Sequence, residues 1–63
     1  MHPDAPALEA VAATVEQALD RVVGLADRHR AAARDDPWVT DLDELERSLR
    51  SARRRLERML DPR

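Results

Sequence analysis

No cysteine occurs in the 63 residues, which removes a disulfide framework, a thiol nucleophile and every cysteine-based zinc or iron–sulfur site. Lysine, tyrosine and phenylalanine are also missing, and glycine and tryptophan occur once each. Without Cys, Lys or Tyr, with no Gly-rich phosphate loop, and with Ser48 and Ser51 lacking a paired base, nothing assembles a nucleophile, a base and an oxyanion donor. The acidic residues are plentiful but fall on polar helix faces, where neither burial nor a like-charged neighbour tunes a carboxyl for proton transfer. The expectation is a protein that is not an enzyme. No apolar run approaches the ~20 residues of a membrane-spanning helix, and no basic stretch followed by an apolar one opens the chain. A cytoplasmic location with no membrane partner is expected.

The 27 apolar residues include 11 Ala, leaving eight Leu, five Val, two Met and one Trp to build a core. That core is thin. A chain this short buries only roughly 60% of its unfolded surface, and without disulfides or a structural metal such chains usually gain stability from association. A homo-oligomer, most simply a dimer, is therefore expected. All 11 basic residues are Arg, and the net charge of −2 argues against bulk attraction to nucleic acid or an anionic membrane.

Pro3 to Pro6 open the chain, with Asp4 placed to cap the first amides and Pro6 in a first turn, where its missing N–H costs little. From there Leu8, Val11, Val15, Ala18, Val22, Leu25, His29 and Ala32 recur at alternating spacings of three and four, the pattern of a helix that packs along its length. Ala12, Leu19, Ala26 and Ala33 widen this stripe beyond a two-stranded seam, so a first helix over about 5–34 should touch more than one neighbour. Gly24 is its one weak point, at about 1 kcal/mol relative to Ala.

The segment Arg34-Asp35-Asp36-Pro37 breaks the pattern, because a residue before Pro leaves the helical region. A turn over about 35–39 follows. The second helix begins either at Pro37 with Asp36 as its cap, or at Thr40 with Asp43 completing a variant capping box, and runs to about 61. Trp38, Leu42, Leu45, Leu49, Ala52, Leu56 and Met59 form its narrower stripe before Asp61 and Pro62 end it. A short connection folds two such helices antiparallel. The predicted fold is thus all-α: a two-helix hairpin of coiled-coil character, dimerising into a four-helix bundle. Its core is expected to comprise Leu8, Val11, Val15, Leu19, Val22, Leu25, His29, Leu42, Leu45, Leu49, Leu56 and Met59, with small Ala18 and Ala52 allowing close approach near the middle.

Charge is strongly segregated in the second half. Asp35, Asp36, Asp41, Asp43, Glu44 and Glu46 precede Arg47, Arg50, Arg53, Arg54, Arg55 and Arg58. Acids early and bases late complement the helix macrodipole, and an antiparallel fold sets each acidic end beside a basic one. Pairs such as Asp43 with Arg47 and Glu46 with Arg50 add i,i+4 contacts of a few tenths of a kcal/mol. A solvated face explains most of this pattern. Arg47, Arg50, Arg54 and Arg58 also form an outward stripe that could rim an acidic protein partner or grip phosphates. Aromatic residues for base stacking are not interleaved with it, which disfavours nucleic acid.

Two further residues stand out. His29, on the core stripe, reads as a polar residue fixing register. As a metal ligand or pH switch it would need a partner such as Asp41, Glu44 or Glu46 across the hairpin, and no Glu lies three residues before it to make a helical ligand pair. Trp38 should cover Ala32 and Ala33 at the turn, or serve as an exposed binding anchor. No cofactor or metal is implied. The function expected is a small interaction module, an adaptor, regulator or assembly subunit. It would pair with itself and with an unidentified protein, Trp38 and the Arg47, Arg50, Arg54 and Arg58 stripe being the candidate contacts. A nucleic-acid or anionic-ligand binder, or a metal-binding hairpin through His29, are the alternatives.

Overall fold

The computed structural model describes residues 2–33 and 35–61. Two helices, α1 (Ala5–Ala32) and α2 (Pro37–Leu60), pack antiparallel along their length, and no strand occurs among the described residues. The hairpin is a rod, with Cα extents of 47 × 15 × 13 Å.

Each helix end has a local cause. Pro lies in the first turn of both helices, where its fixed φ suits the helix and its absent N–H is not missed. Asp4 makes no side-chain cap; the Leu8 amide donates to the Asp4 carbonyl at 3.0 Å instead, and the Asp4 amide donates to His2 Nδ1 at 3.1 Å. At the other end α1 stops at Ala32, two residues earlier than the periodicity suggests. Ala33 is extended, its amide donating to the His29 carbonyl at 2.9 Å, and Arg34 lies outside the described residues. Asp36, extended before Pro37 as steric exclusion requires, accepts from the Trp38 amide at 2.9 Å. That cap settles the start of α2 at Pro37 and removes the alternative start at Thr40. Because Asp36 satisfies one of the orphan amides of the first turn, the helix begins where the proline allows it.

The seam between the helices is not the one a simple alternation would select. On α1 it is built by Leu8, Ala12, Val15, Leu19, Val22, Ala26 and His29, and Ala26 and Leu19 are the most enclosed, at 1% and 3% exposure. On α2 Leu42 and Leu56 are buried and Leu49 half-buried. Val22, Ala26 and Leu42 form the centre of the core, with Leu25 and Leu49 packed against it. Small Ala26 lets α2 approach near the turn, a role the sequence suggested for Ala18 and Ala52, which are only half-buried. No described helix is long and apolar enough to cross a membrane.

Candidate interaction surface

Rotating the α1 seam toward Ala12, Leu19 and Ala26 turns Val11 and Ala32 out to solvent and leaves half-buried Ala18 and Leu25 at its edge, Leu25 still touching the core. On α2 the same rotation leaves Trp38, Leu45 and Met59 exposed, with half-buried Ala52 between them. Both sets repeat every seven residues and lie on the same rotational side of their seams, so in an antiparallel hairpin they meet on one side of the rod. A step of seven up α1 is matched by a step of seven down α2. Val11 thus sits beside Met59, Ala18 beside Ala52, Leu25 beside Leu45 and Ala32 beside Trp38, and Val11 and Met59 do line one groove. The four large apolar residues that stand exposed are Val11 at 49%, Trp38 at 60%, Leu45 at 47% and Met59 at 63%. All four belong to this one face.

The opposite side of the seam is closed by charge. Arg30 reaches across to Asp43 at 2.8 Å and also contacts Asp27 at 3.3 Å, while Arg53 reaches Glu16 at 3.4 Å. Glu16, Arg30 and Asp43 lie on the flank away from the apolar face, and the stem of half-buried Arg53 covers part of the seam there. These exposed pairs are each worth little, in the range of about 0–1 kcal/mol. Their placement nevertheless fixes which side of the hairpin is polar.

The turn is held by three side chains. His29 Nδ1 lies 2.6 Å from Asp36 Oδ2, and the other Asp36 oxygen caps Trp38. The indole of Trp38 stacks on the His29 ring, with centroids 5.5 Å apart and an interplanar angle of 27°. The Asp36 carboxyl is held below its ordinary range, first by its hydrogen bond with His29 and then by the Trp38 amide. His29 therefore faces Asp36, not Asp41, Glu44 or Glu46, and Trp38 lies on His29, leaving Ala32 and Ala33 exposed. Among the described residues no group of three or more His, Asp or Glu side chains could hold a metal ion.

At the other end of the rod the helices part around an apolar groove of about 380 Å³. His2, Asp4, Ala5, Ala7, Leu8, Val11, Met59 and Leu60 line it. Sequence periodicity does not disclose this groove. It arises because Ala5 and Ala7 carry too little volume to fill the space beside Leu60 and Met59.

The arginine stripe lies on the outer surface of α2. Arg47 pairs with Glu44 at 3.0 Å, Arg50 with Glu46 at 3.0 Å, and Arg54 donates to the Ser51 hydroxyl at 3.1 Å. The expected Glu46–Arg50 pair is present, whereas Asp43 turns to Arg30 and leaves Arg47 to Glu44. Arg47 and Arg50, engaged with carboxylates of their own helix, are poorly disposed to collect phosphates, whereas the Arg54 partner is a neutral hydroxyl. No family model, curated protein or solved structure matches this chain.

Proposed function

We propose that this protein is a small, non-enzymatic protein–protein interaction module that works through its bare apolar face, pairing with a second copy to give a four-helix bundle. The observation that carries this reading is that every exposed large apolar side chain among the described residues lies on one face, while the opposite flank of the seam is fenced by ion pairs. Scattered exposed leucines are ordinary; a contiguous apolar stripe rimmed by polar residues marks a contact surface.

The area of the chain supports a second copy as the partner. A compact protein of 7.2 kDa would expose about 4,100 Å² by the scaling of folded monomers, whereas this hairpin exposes 5133 Å². The surplus, about 1,000 Å², is comparable to the ~800 Å² that each partner buries in a standard interface. In such a bundle the outer surfaces, including Arg47, Arg50 and Arg54, stay free for a further protein, with Arg58 at the edge of the contact.

Light scattering over a concentration series tests this reading. A mass of twice 7.2 kDa at both low and physiological salt is expected, because burial of apolar surface, unlike ion pairing between exposed groups, is not screened. A folded monomer at all concentrations would overturn it.

A further inference from the structure

The bare face has a knob at one end and a hole at the other. Trp38, the one aromatic residue of the chain, stands 60% exposed beside the turn, and the groove lined by Ala7, Leu8, Val11, Met59 and Leu60 lies at the open end. The Trp38 and Val11 levels are separated by three heptads, about 31 Å at 1.5 Å per residue. A tryptophan cannot reach the groove of its own hairpin. Resting on the self-association proposed above, we propose that the second copy docks with its turn at the opposite end, so that each Trp38 enters the other copy's open-end groove.

The dyad needed for this lies in the plane of the face, at right angles to the helices, and passes between the second and third layers. It sets α1 against its own copy and α2 against its own copy, both antiparallel. A self-complementary contact of this kind requires that whatever residue i meets also meets residue i in the other copy. Trp38 and Met59 satisfy that relation, as do Ala32 and Val11.

Side-chain volume along the face favours the same arrangement. Its four layers are Val11 with Met59, Ala18 with Ala52, Leu25 with Leu45, and Ala32 with Trp38. Under the proposed dyad Ala18 faces Leu25, Ala52 faces Leu45 and Val11 faces Ala32, so large residues oppose small ones in every pair except Trp38 with Met59, where the groove receives the indole. A dimer with both turns at one end would instead put four alanines in one layer and four leucines in the next. The two pairs of helices would then have to be closer in one layer than in the adjacent one.

Charge along the edges agrees on α2. Asp41 and Glu44 flank the face near the turn and Arg55 and Arg58 flank it near the open end, all exposed. Running α2 antiparallel to its copy brings Asp41 to the level of Arg55 in the other copy, twice by symmetry. On α1 the edge carries Arg21 and Arg28 with Thr14 and Gln17, and Arg21 approaches its own copy near the dyad. Like charges on exposed, flexible side chains oppose association only weakly. The two Asp41–Arg55 contacts offset it.

The absence of cysteine makes the test direct. An Asp35→Cys variant, altered at an exposed turn residue outside the face, takes a nitroxide label whose distance to the label of the other copy is read by pulsed electron resonance. A separation of about 40 Å is expected, since each turn lies a few ångströms beyond the ~31 Å span of the face. Labels within about two helix diameters, ~20 Å, would place the turns together and overturn this inference while leaving the dimer intact. A monomer by light scattering would overturn both readings. In a second measurement, a Met59→Cys thiol quenches tryptophan emission only on contact. Quenching of Trp38 that grows with protein concentration is expected, and emission unchanged across the monomer–dimer transition would overturn the contact.

Discussion

The seam and the bare face are drawn from the same two helices and the same seven-residue rhythm, yet they end up in opposite environments. In the seam Leu19 and Leu42 are 3% and 8% exposed, while Leu45, three residues after Leu42, is 47% exposed. Residue type cannot explain that difference. What separates the two surfaces is the rotation of each helix about its own axis, and the flanking ion pairs lie where that rotation puts them. Glu16 with Arg53 and Arg30 with Asp43 can meet only if α1 turns Ala12, Leu19 and Ala26 toward α2. A stripe wide enough for two partners is thereby divided between one partner within the chain and one outside it.

Alanine substitution on either surface sharpens this contrast most. Leu42→Ala removes a buried side chain at the core beside Val22 and Ala26, and should cost about 2–5 kcal/mol. Against a total stability of roughly 0.05–0.15 kcal/mol per residue, that is a large share, and it should destabilise the hairpin at every concentration. Leu45→Ala deletes the same atoms from the bare face and should leave the isolated hairpin within about 0.5 kcal/mol of the parent. Its effect should appear as weaker self-association. Urea melts over a concentration series separate the two outcomes. Equal losses for both variants at low concentration would mean that the seam and the face are not distinct.

The turn provides the next contrast, between a closed end tied by Asp36, His29 and Trp38 and the same end with that tie removed. Asp36→Ala removes both the cap on the Trp38 amide and the partner of His29, and loss of the cap alone should cost about 1 kcal/mol. Acid should erase the difference. Because the folded carboxyl lies below its ordinary value of 3.8, the unfolded chain binds its proton at higher pH than the folded one. The stabilisation is therefore complete above that value and fades as pH falls through the depressed one. The gap between the thermal melts of parent and variant should begin to narrow below the ordinary value of 3.8 and close only once pH has fallen through the depressed one. A gap that persists there would show that the ionised carboxylate is not what matters.

Much of this was legible in the sequence because it depends on local chemistry. Pro37 after Asp36 gives the turn and its cap, and the spacing of three and four gives two helices and their antiparallel packing. The rotation of the helices was not legible. Val11, Leu45 and Met59 have the same periodic claim on the core as Val15, Leu42 and Leu56, and a pattern of apolar positions does not tell which set faces the other helix. The partner of His29 was hidden for a similar reason. Asp36 lies seven residues on, a helical spacing, but it faces the ring only because the chain leaves the helix at Ala33 and returns. The groove at the open end depends on volumes that are missing, which a pattern of apolar positions does not record.

The smallest expected effect tests whether the outer surface of α1 is free. Gly24 lies in the middle of α1 with no positive φ to require it, and a Cβ built there meets nothing within 4 Å. Gly24→Ala should therefore stabilise the helix by up to about 1 kcal/mol through reduced backbone freedom in the unfolded chain. Gly24 faces away from both the seam and the bare face, so the gain should appear in thermal melts without altering the mass measured by light scattering. Loss of stability, or a change in association, would mean that something packs closely against α1 at Gly24, and the division of its surface into a seam, a bare face and a solvated remainder would then be incomplete.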